Sequence, residues 1–445
     1  MEHNPERFLK LVDDLKVLQK DERLRVELEV KEPGSSVLRR AQRLSAARPG
    51  ARAPAAGSAP SDEVRLTLES PDGGKGKFRF SAIMRNAVVP VRDVDVSPSV
   101  FAGLAAALQK SESGKEQEQY GRLLFDYPIP EDFDEVIGGA GSVRLIVDRA
   151  TASFPWEMAC FRPRSDSGGA RWLGLDRALT RQFRTMLSQP PGTTPPLNEQ
   201  VRVLVIADPA PEPELQLPYA RREGRQVVET LRRLDSSQLR IDVESRIGSS
   251  ECDIVEILAL ILTGGFDIVH YAGHGDYDPA DPTTAGWIFG RDRIMTARDI
   301  FRARRVPRLV FANACFSGAI HGGAAHDAQE LSYGLATIAQ AFFERGVPNY
   351  LGSGWPVNDA QAATFAAEFY KGVLGARTLR EAVSAARGKI YGEAGGSTWG
   401  AYQLYGNPDD VVVRLARQNA STTPRRGSRA VRSGRRVSHG PRRRS

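Results

Sequence analysis

The sequence predicts an α/β protein: a mostly parallel sheet with helices on both faces, preceded by a smaller α+β amino-terminal half. Three observations carry that expectation. After Gln200 the chain alternates strand, helix, strand, the grammar of a parallel sheet with crossover helices. The run Val201–Ala207 is almost continuously apolar, as a strand covered on both faces must be. Before Gln189-Pro-Pro-Gly-Thr-Thr-Pro-Pro the pattern is different, a hairpin followed by helices. Proline at that density can neither continue a helix nor pair in a sheet, so it marks a boundary between the halves.

The elements follow in order. Phe8, Leu11, Val12, Leu15 and Leu18 recur at spacings of three and four, predicting an amphipathic helix over 4–22. Leu24, Val26, Leu28 and Val30 alternate with charged residues, the period of a half-buried strand. Residues 35–60 are rich in Ala, Arg, Ser and Pro and hold no acid, which predicts a linker. Val64-Arg-Leu-Thr-Leu, the turn Pro71-Asp-Gly-Gly and Phe78-Arg-Phe-Ser-Ala-Ile form a hairpin signature. Helices are expected near 98–110 and 115–127, and a strand at Ser142 to Val147. In the second half, Ser250-Glu-Cys-Asp253 reads as a capping box opening a helix that Gly264-Gly265 stops. Strands are expected at Phe266 to Tyr271, Arg308 to Ala312 and Asn349 to Gly352. Capping boxes at Asp327/Glu330 and Thr378/Glu381 open two later helices. The resulting segments are 1–61 (helix, short strand, linker), 62–190 (amino-terminal half), 197–416 (sheet core) and 417–445 (tail).

Composition limits the function classes. The 445 residues carry 61 Lys+Arg against 54 Asp+Glu, a net charge of +7. Ten arginines and no acid fall in residues 417–445, so the rest of the chain carries −3 and the basic character belongs to the tail. Such a tail reads as a disordered, solvated end, with contact to nucleic acid by counterion release as the alternative. Three cysteines, Cys160, Cys252 and Cys315, are too few and too scattered for a disulfide framework or a Cys-x-x-Cys zinc site. No apolar stretch approaches a membrane span, and the first residues hold no apolar signal core. The expectation is a cytoplasmic protein without metal or cofactor.

In an open parallel sheet, reacting groups gather at the carboxyl edge of the strands. Two strand ends here carry unusual residues, Phe266-Asp-Ile-Val-His-Tyr-Ala-Gly-His274-Gly275 and Arg308-Leu-Val-Phe-Ala-Asn-Ala-Cys315-Phe-Ser-Gly318. In both, an apolar strand is expected to run into a small-residue turn. Cys315 alone reads more readily as a packed thiol, and His274 alone as an ordinary turn residue. Placed together at two strand ends, they read as a nucleophile and its base. A thiol at its ordinary pKa is only a few per cent ionised at neutral pH, and a neighbouring imidazole can take its proton. Gly275 and Gly318, without side chains, let a substrate backbone approach and leave nearby N–H groups for an oxyanion.

These two motifs resemble the CHAT domain, a prokaryotic branch of the caspase-like cysteine peptidases. Gly346-Val-Pro-Asn-Tyr-Leu-Gly-Ser-Gly-Trp-Pro-Val-Asn-Asp359 and Trp399-Gly-Ala-Tyr-Gln-Leu-Tyr-Gly-Asn-Pro408 resemble it too. So, upstream, do Ser70-Pro-Asp-Gly, Gly121-Arg-Leu-Leu-Phe and Phe154-Pro-Trp-Glu. The likeness spans roughly residues 64–412. It implies a caspase-like core, Cys315 as nucleophile and His274 as base and acid, and an oxyanion hole from the N–H groups of Gly275 and Cys315. It implies a dyad, with no third carboxylate. It also implies a protein substrate cut at few sites, often in bacterial stress or antiviral defence, with activation by a partner or upstream sensor.

Caspase-like folds build the first substrate pocket partly from the loop after the first strand, so the resemblance makes Asp208 a candidate base for a pocket taking Arg or Lys. Asp359 is the second candidate, and Trp355 either lines that pocket or packs under it. A loop or cap role competes for both acids. His270 precedes His274 by four residues, but without the helix and Glu of H-E-x-x-H it reads as a packed strand residue. His321 and His326 fall in a Gly-rich loop and match no common metal spacing. Cys160 and Cys252 sit in apolar contexts and are expected to be inert. A rival reading from another class is a non-catalytic caspase-like adaptor, binding partners through residues 4–22 and the arginine tail.

Overall fold

The computed structural model describes residues 63–85, 87–162, 169–184, 196–277, 284–300, 305–315, 328–344, 346–393 and 396–415. The helix expected at 4–22, the strand at 24–30, the linker and the arginine tail lie outside these residues. So do His321, His326, Asp327, Gly318 and most of the Pro-rich boundary.

Strands β1 (Glu63–Glu69) and β2 (Lys77–Ile83) pair antiparallel, as their alternation predicts. Val64, Leu66 and Leu68 of one strand and Phe78, Phe80 and Ala82 of the other are buried, with charged residues between them. Asp72 holds the turn, its carboxylate accepting from the Lys75 and Lys77 N–H groups at 3.0 and 2.9 Å. Strand β3 (Val88–Asp95) adds to β2 as the outer edge of the sheet. Helices α1 (Pro98–Lys110), α2 (Gly114–Asp126) and α3 (Glu131–Gly139) follow. Pro98 starts α1, where its missing N–H has no partner to lose. The half closes with β4 (Ser142–Val147), the short pair β5 (Cys160–Phe161) and β6 (Arg171–Trp172), and β7 (Thr180–Phe183).

The second half opens with β8 (Gln200–Ala207), α4 (Pro218–Leu234), β9 (Arg240–Ile247) and α5 (Ile254–Gly264). Asp253, rather than Ser250, caps α5, its carboxylate accepting from Val255 and Glu256 N–H at 2.9 and 3.1 Å. The helix starts one residue after it, which leaves Ser250 in the preceding turn. Gly265 ends α5 at φ +63°, a conformation that favours glycine. Then come β10 (Ile268–Asp276), the hairpin β11 (Gly286–Gly290) and β12 (Arg293–Thr296), and β13 (Leu309–Cys315). Helix α6 (Ala328–Glu344), β14 (Asn349–Ser353), α7 (Asp359–Leu374), α8 (Leu379–Glu393) and β15 (Tyr402–Gly406) complete the described chain. Thr378 and Glu381 form the expected reciprocal box at α8, bonding each other's N–H at 2.9 and 3.2 Å.

Both halves contribute to one sheet. Its main path runs β9-β8-β10-β13-β14-β15-β7-β4-β1-β2-β3, with β11 and β12 branching from the end of β10. The first five strands are mutually parallel; β15 turns antiparallel against β14, and a second parallel group, β15, β7, β4 and β1, follows. Helices cover both faces. Tyr370, Phe365 and Phe369 of α7 pack on Phe311 of β13 from one side. Phe342 of α6 packs on Tyr350 of β14 from the other. No helix among the described residues is long and apolar enough to cross a membrane.

Candidate active site

Strands β8, β10 and β13 lie side by side, and their carboxyl ends form one edge. Ala207 is level with Ala272, and His274 is the direct Cα partner of Cys315. Neighbouring strands stand ~4.8 Å apart, and register partners occupy the same phase of the pleat. His274 and Cys315 are thus register partners, and both lie within strands that run on past the ends expected at Tyr271 and Ala312. Gly273 and Gly275, which read as turn residues, lie within β10, and Gly273 is bare because a Cβ there would stand 2.5 Å from the Tyr271 hydroxyl. That hydroxyl donates to the His274 carbonyl at 2.7 Å, with the Ile288 carbonyl 3.1 Å away, and its ring stacks on Trp287 at 4.6 Å. The His274 backbone is therefore held from one face. Cys315 is described through its backbone alone.

The His274 ring is held from elsewhere. It bonds the backbone carbonyl of Leu215, in the single turn Pro213–Leu215 that follows β8. Burial pushes the imidazole below its usual range, and the Leu215 carbonyl and the nearby Asp208 charge pull it part of the way back. The segment carrying Leu215 is in turn fixed by Asp208. Its Oδ1 accepts the Leu217 N–H at 2.7 Å, and its Oδ2 accepts Arg221 Nε at 2.9 Å.

Asp208 thus stands directly after β8, where the sequence placed it, and its carboxylate serves the competing loop role. Only 1 % of the residue is exposed, and both oxygens are engaged inside the chain. An incoming Arg or Lys would have to displace Arg221. The residue also sits at φ +52°, a left-handed conformation that Asp tolerates better than most residues. Asp208→Ala is expected to destabilise the protein by about 2 kcal/mol, because a buried N–H and a guanidinium lose their acceptor. Urea unfolding reads this directly. A substitution that altered substrate preference at unchanged stability would restore the pocket role.

Trp355 is 2 % exposed and donates Nε1–H to Ser397 Oγ at 3.3 Å. Asp359 is the first residue of α7, after the cap Asn358, on the rim of a cleft of about 570 Å³ between α4 and α7. Burial and then the neighbouring Glu223 charge push its carboxyl above the usual range, with Arg222 opposing them. Cys160 and Cys252 are buried, and burial pushes both thiols up to about 12, which makes them poor nucleophiles.

One acid escaped the sequence reading altogether. Glu223 of α4 is 7 % exposed; its Oε2 accepts Asn313 Nδ2–H at 2.9 Å and its Oε1 lies 3.4 Å from His270 Nε2. His270 is fully buried, with Nδ1 3.0 Å from the Tyr370 hydroxyl and its ring against Phe311. It is the packed strand residue the sequence suggested, and it also belongs to a polar network. In an arginine-rich helix nothing in the sequence separates Glu223 from a solvated acid. Gly224 gives the one indirect signal: a Cβ there would stand 2.5 Å from that of Ala207, so α4 lies close on the strands.

The family model of the CHAT domain matches residues 118–407, well over half of the chain. The chain belongs to the CHAT domain family. The match takes in both strand ends that carry His274 and Cys315. No curated protein matches the sequence. Solved structures similar to this CHAT protein include the Saccharomyces cerevisiae separase–securin complex, at 12 % identity and a TM-score of 0.44. The similarity covers 78 % of this chain but only 30 % of that one. Another is the Arg-specific cysteine proteinase gingipain R, at 13 % identity, TM-score 0.38, covering 68 % of this chain and 69 % of that one. A third is the complex of Porphyromonas gingivalis RgpB pro- and mature domains, at 13 % identity, TM-score 0.36, with 71 % and 77 % covered.

Proposed function

We propose that this CHAT protein is a cysteine endopeptidase that cuts a protein substrate with the dyad Cys315–His274. The observation that carries the reading is the register of β10 and β13, which makes these two positions direct partners at the carboxyl edge of the sheet. The imidazole has one ring N–H on the Leu215 carbonyl, and the other nitrogen takes the thiol proton. The thiolate attacks the scissile carbonyl carbon, and the carbonyl electron pair moves to oxygen, where the N–H groups of Gly275 and Cys315 receive it. The C–N bond then breaks, His274 gives its proton to the leaving amine, and a thioester remains. Water loses a proton to His274, attacks the thioester and releases the carboxylic acid, and the proton returns to sulfur. Every step uses groups of the chain, the substrate and water. The biological side of the proposal is limited cleavage in bacterial stress or antiviral defence, on a signal from a partner or sensor.

The test is a peptide library incubated with the purified protein and with Cys315→Ala, products being read by mass spectrometry. New termini are expected with the former, and at least about 10³-fold fewer with the variant. Equal cleavage by both proteins, or by neither across the activating conditions tried, ends the peptidase reading and leaves the adaptor in its place.

A further inference from the structure

We propose that Glu223 is a positioning residue for the dyad: reaching in from α4, it bonds Asn313 of β13 and packs against His270 of β10, just beneath His274 and Cys315. The inference rests on the peptidase reading and deepens it. Asn313 stands two residues before Cys315 on β13, and His270 four residues before His274 on β10. Both spacings are even, so the four positions share one phase of the pleat. Ala272 is the Cα partner of Asn313 and the intervening residue of that phase on β10.

The contacts span four elements. Glu223 holds Asn313 at 2.9 Å, lies 3.4 Å from His270 Nε2, and His270 reaches the Tyr370 hydroxyl on α7 at 3.0 Å. Burying a carboxylate is unfavourable unless its oxygens are engaged. Glu223 engages Oε2 with Asn313 of β13 and turns Oε1 toward His270 of β10 at 3.4 Å, a packing contact without a hydrogen bond, between residues separated by 43 positions (270 and 313) in the sequence. Packed interiors transmit small displacements rather than absorbing them, and an error of about 1 Å in the relation of two reacting groups costs ~10²-fold in rate. The side chain acts through strand position, with no contact to substrate.

The test reads the thiol itself, so it does not depend on turnover. Alkylation of Cys315 by iodoacetamide is followed in the full chain from about pH 5 to about pH 9, across the His and Cys ranges. The proteins are the unaltered chain, His274→Ala, Glu223→Gln, Glu223→Ala and Asn313→Ala. The buried, high-pKa thiols of Cys160 and Cys252 keep the background low. The unaltered chain is expected to react at low pH in a His274-dependent manner. Glu223→Ala and Asn313→Ala are expected to lose that dependence, with rates at neutral pH down by ~10- to 100-fold. Glu223→Gln keeps the length and an acceptor for Asn313, so it should stay within ~3-fold.

A Glu223→Ala protein with the unaltered pH profile overturns the proposal while leaving the peptidase reading intact. A Glu223→Gln protein as impaired as Glu223→Ala also overturns it, since charge rather than position would then be the cause. No His274 dependence in the unaltered chain removes the dyad and this inference with it. If Glu223→Ala fails to fold, Asn313→Ala, which deletes the same bond from the strand side, decides.

Discussion

His274→Ala is expected to lower kcat/KM for a cleaved peptide by about 10³-fold, within the range of positioned acid–base groups. The loss should fall mainly on kcat, because the imidazole moves protons and adds little to ground-state binding. The pH dependence gives a second reading of the same residue. Burial pushes the His274 imidazole down, and the Leu215 carbonyl and Asp208 charge oppose that without cancelling it. The catalytic form is the deprotonated one, so a lowered pKa keeps the base available further into acid. The acid limb of kcat/KM should therefore lie on the acidic side of an ordinary histidine, about 6.5. The linkage to stability has the same origin. A histidine whose folded pKa is depressed is protonated first in the unfolded chain. Its contribution is complete above the unfolded value and is lost as pH falls from there through the folded one. Turnover by His274→Ala within about tenfold of the unaltered protein would remove His274 from the mechanism.

The parts of the fold that could be read in the sequence are those whose burial is one-dimensional. β8 and β10 are covered on both faces along Val203–Ala207 and Ile268–Ala272, so each of these stretches is largely apolar in the sequence. β9 belongs to the same parallel group but lies at its edge, and most of its residues are only half-buried. Arg240-Ile-Asp-Val-Glu-Ser-Arg-Ile therefore carries no strand signature strong enough to separate it from a loop. The same limit explains β3, an edge strand with a proline and four charged or exposed positions in a row.

At the candidate site, the meeting of His274 and Cys315 across β10 and β13 was legible because each residue closes a largely apolar run. Their partners were not. Asp208 was placed correctly at the end of β8, yet the sequence could not show that Arg221, in the first turn of α4, already occupies its carboxylate. Glu223 is the harder case. It lies among Arg221, Arg222 and Arg225, and only the approach of α4 at Gly224 carries it under the strands. What a local pattern reveals is which face is buried; which polar atoms meet across elements follows from the assembled sheet.

The largest stability effect is expected away from the site, at Glu157→Gln, and its reasoning turns on charge alone. Glu157, Arg181 and Arg387 are all fully buried. One carboxylate serves both guanidinium groups: Arg181 Nε donates to Glu157 Oε1 at 2.9 Å, its Nη2 bonds Oε2, and Arg387 Nη2 donates to Oε1 at 3.3 Å. The remaining N–H groups go to carbonyls. Arg181 Nη1 bonds Ala152 at 2.6 Å and its Nη2 Phe154 at 2.8 Å, while Arg387 bonds Leu179 at 2.8 Å and Tyr402 at 2.6 Å. These contacts join the Phe154-Pro-Trp-Glu segment to β7, α8 and β15, where the two halves of the sheet meet. The cluster already carries one cation in excess. Burial pushes the Arg387 guanidinium down to about 10, with Arg181 adding to the shift and Glu157 resisting it. Gln at 157 keeps the size and an acceptor oxygen and removes only the anion, which leaves two buried cations facing each other. Breaking a buried ion cluster from one side typically costs 3–5 kcal/mol, and the loss should appear as a lower urea midpoint at unchanged slope. Below that transition, Cys315 alkylation should keep its His274 dependence, since β13, β14 and β15 separate β7 from β10. A change under about 1 kcal/mol would mean that the carbonyl cage, rather than Glu157, neutralises the two arginines.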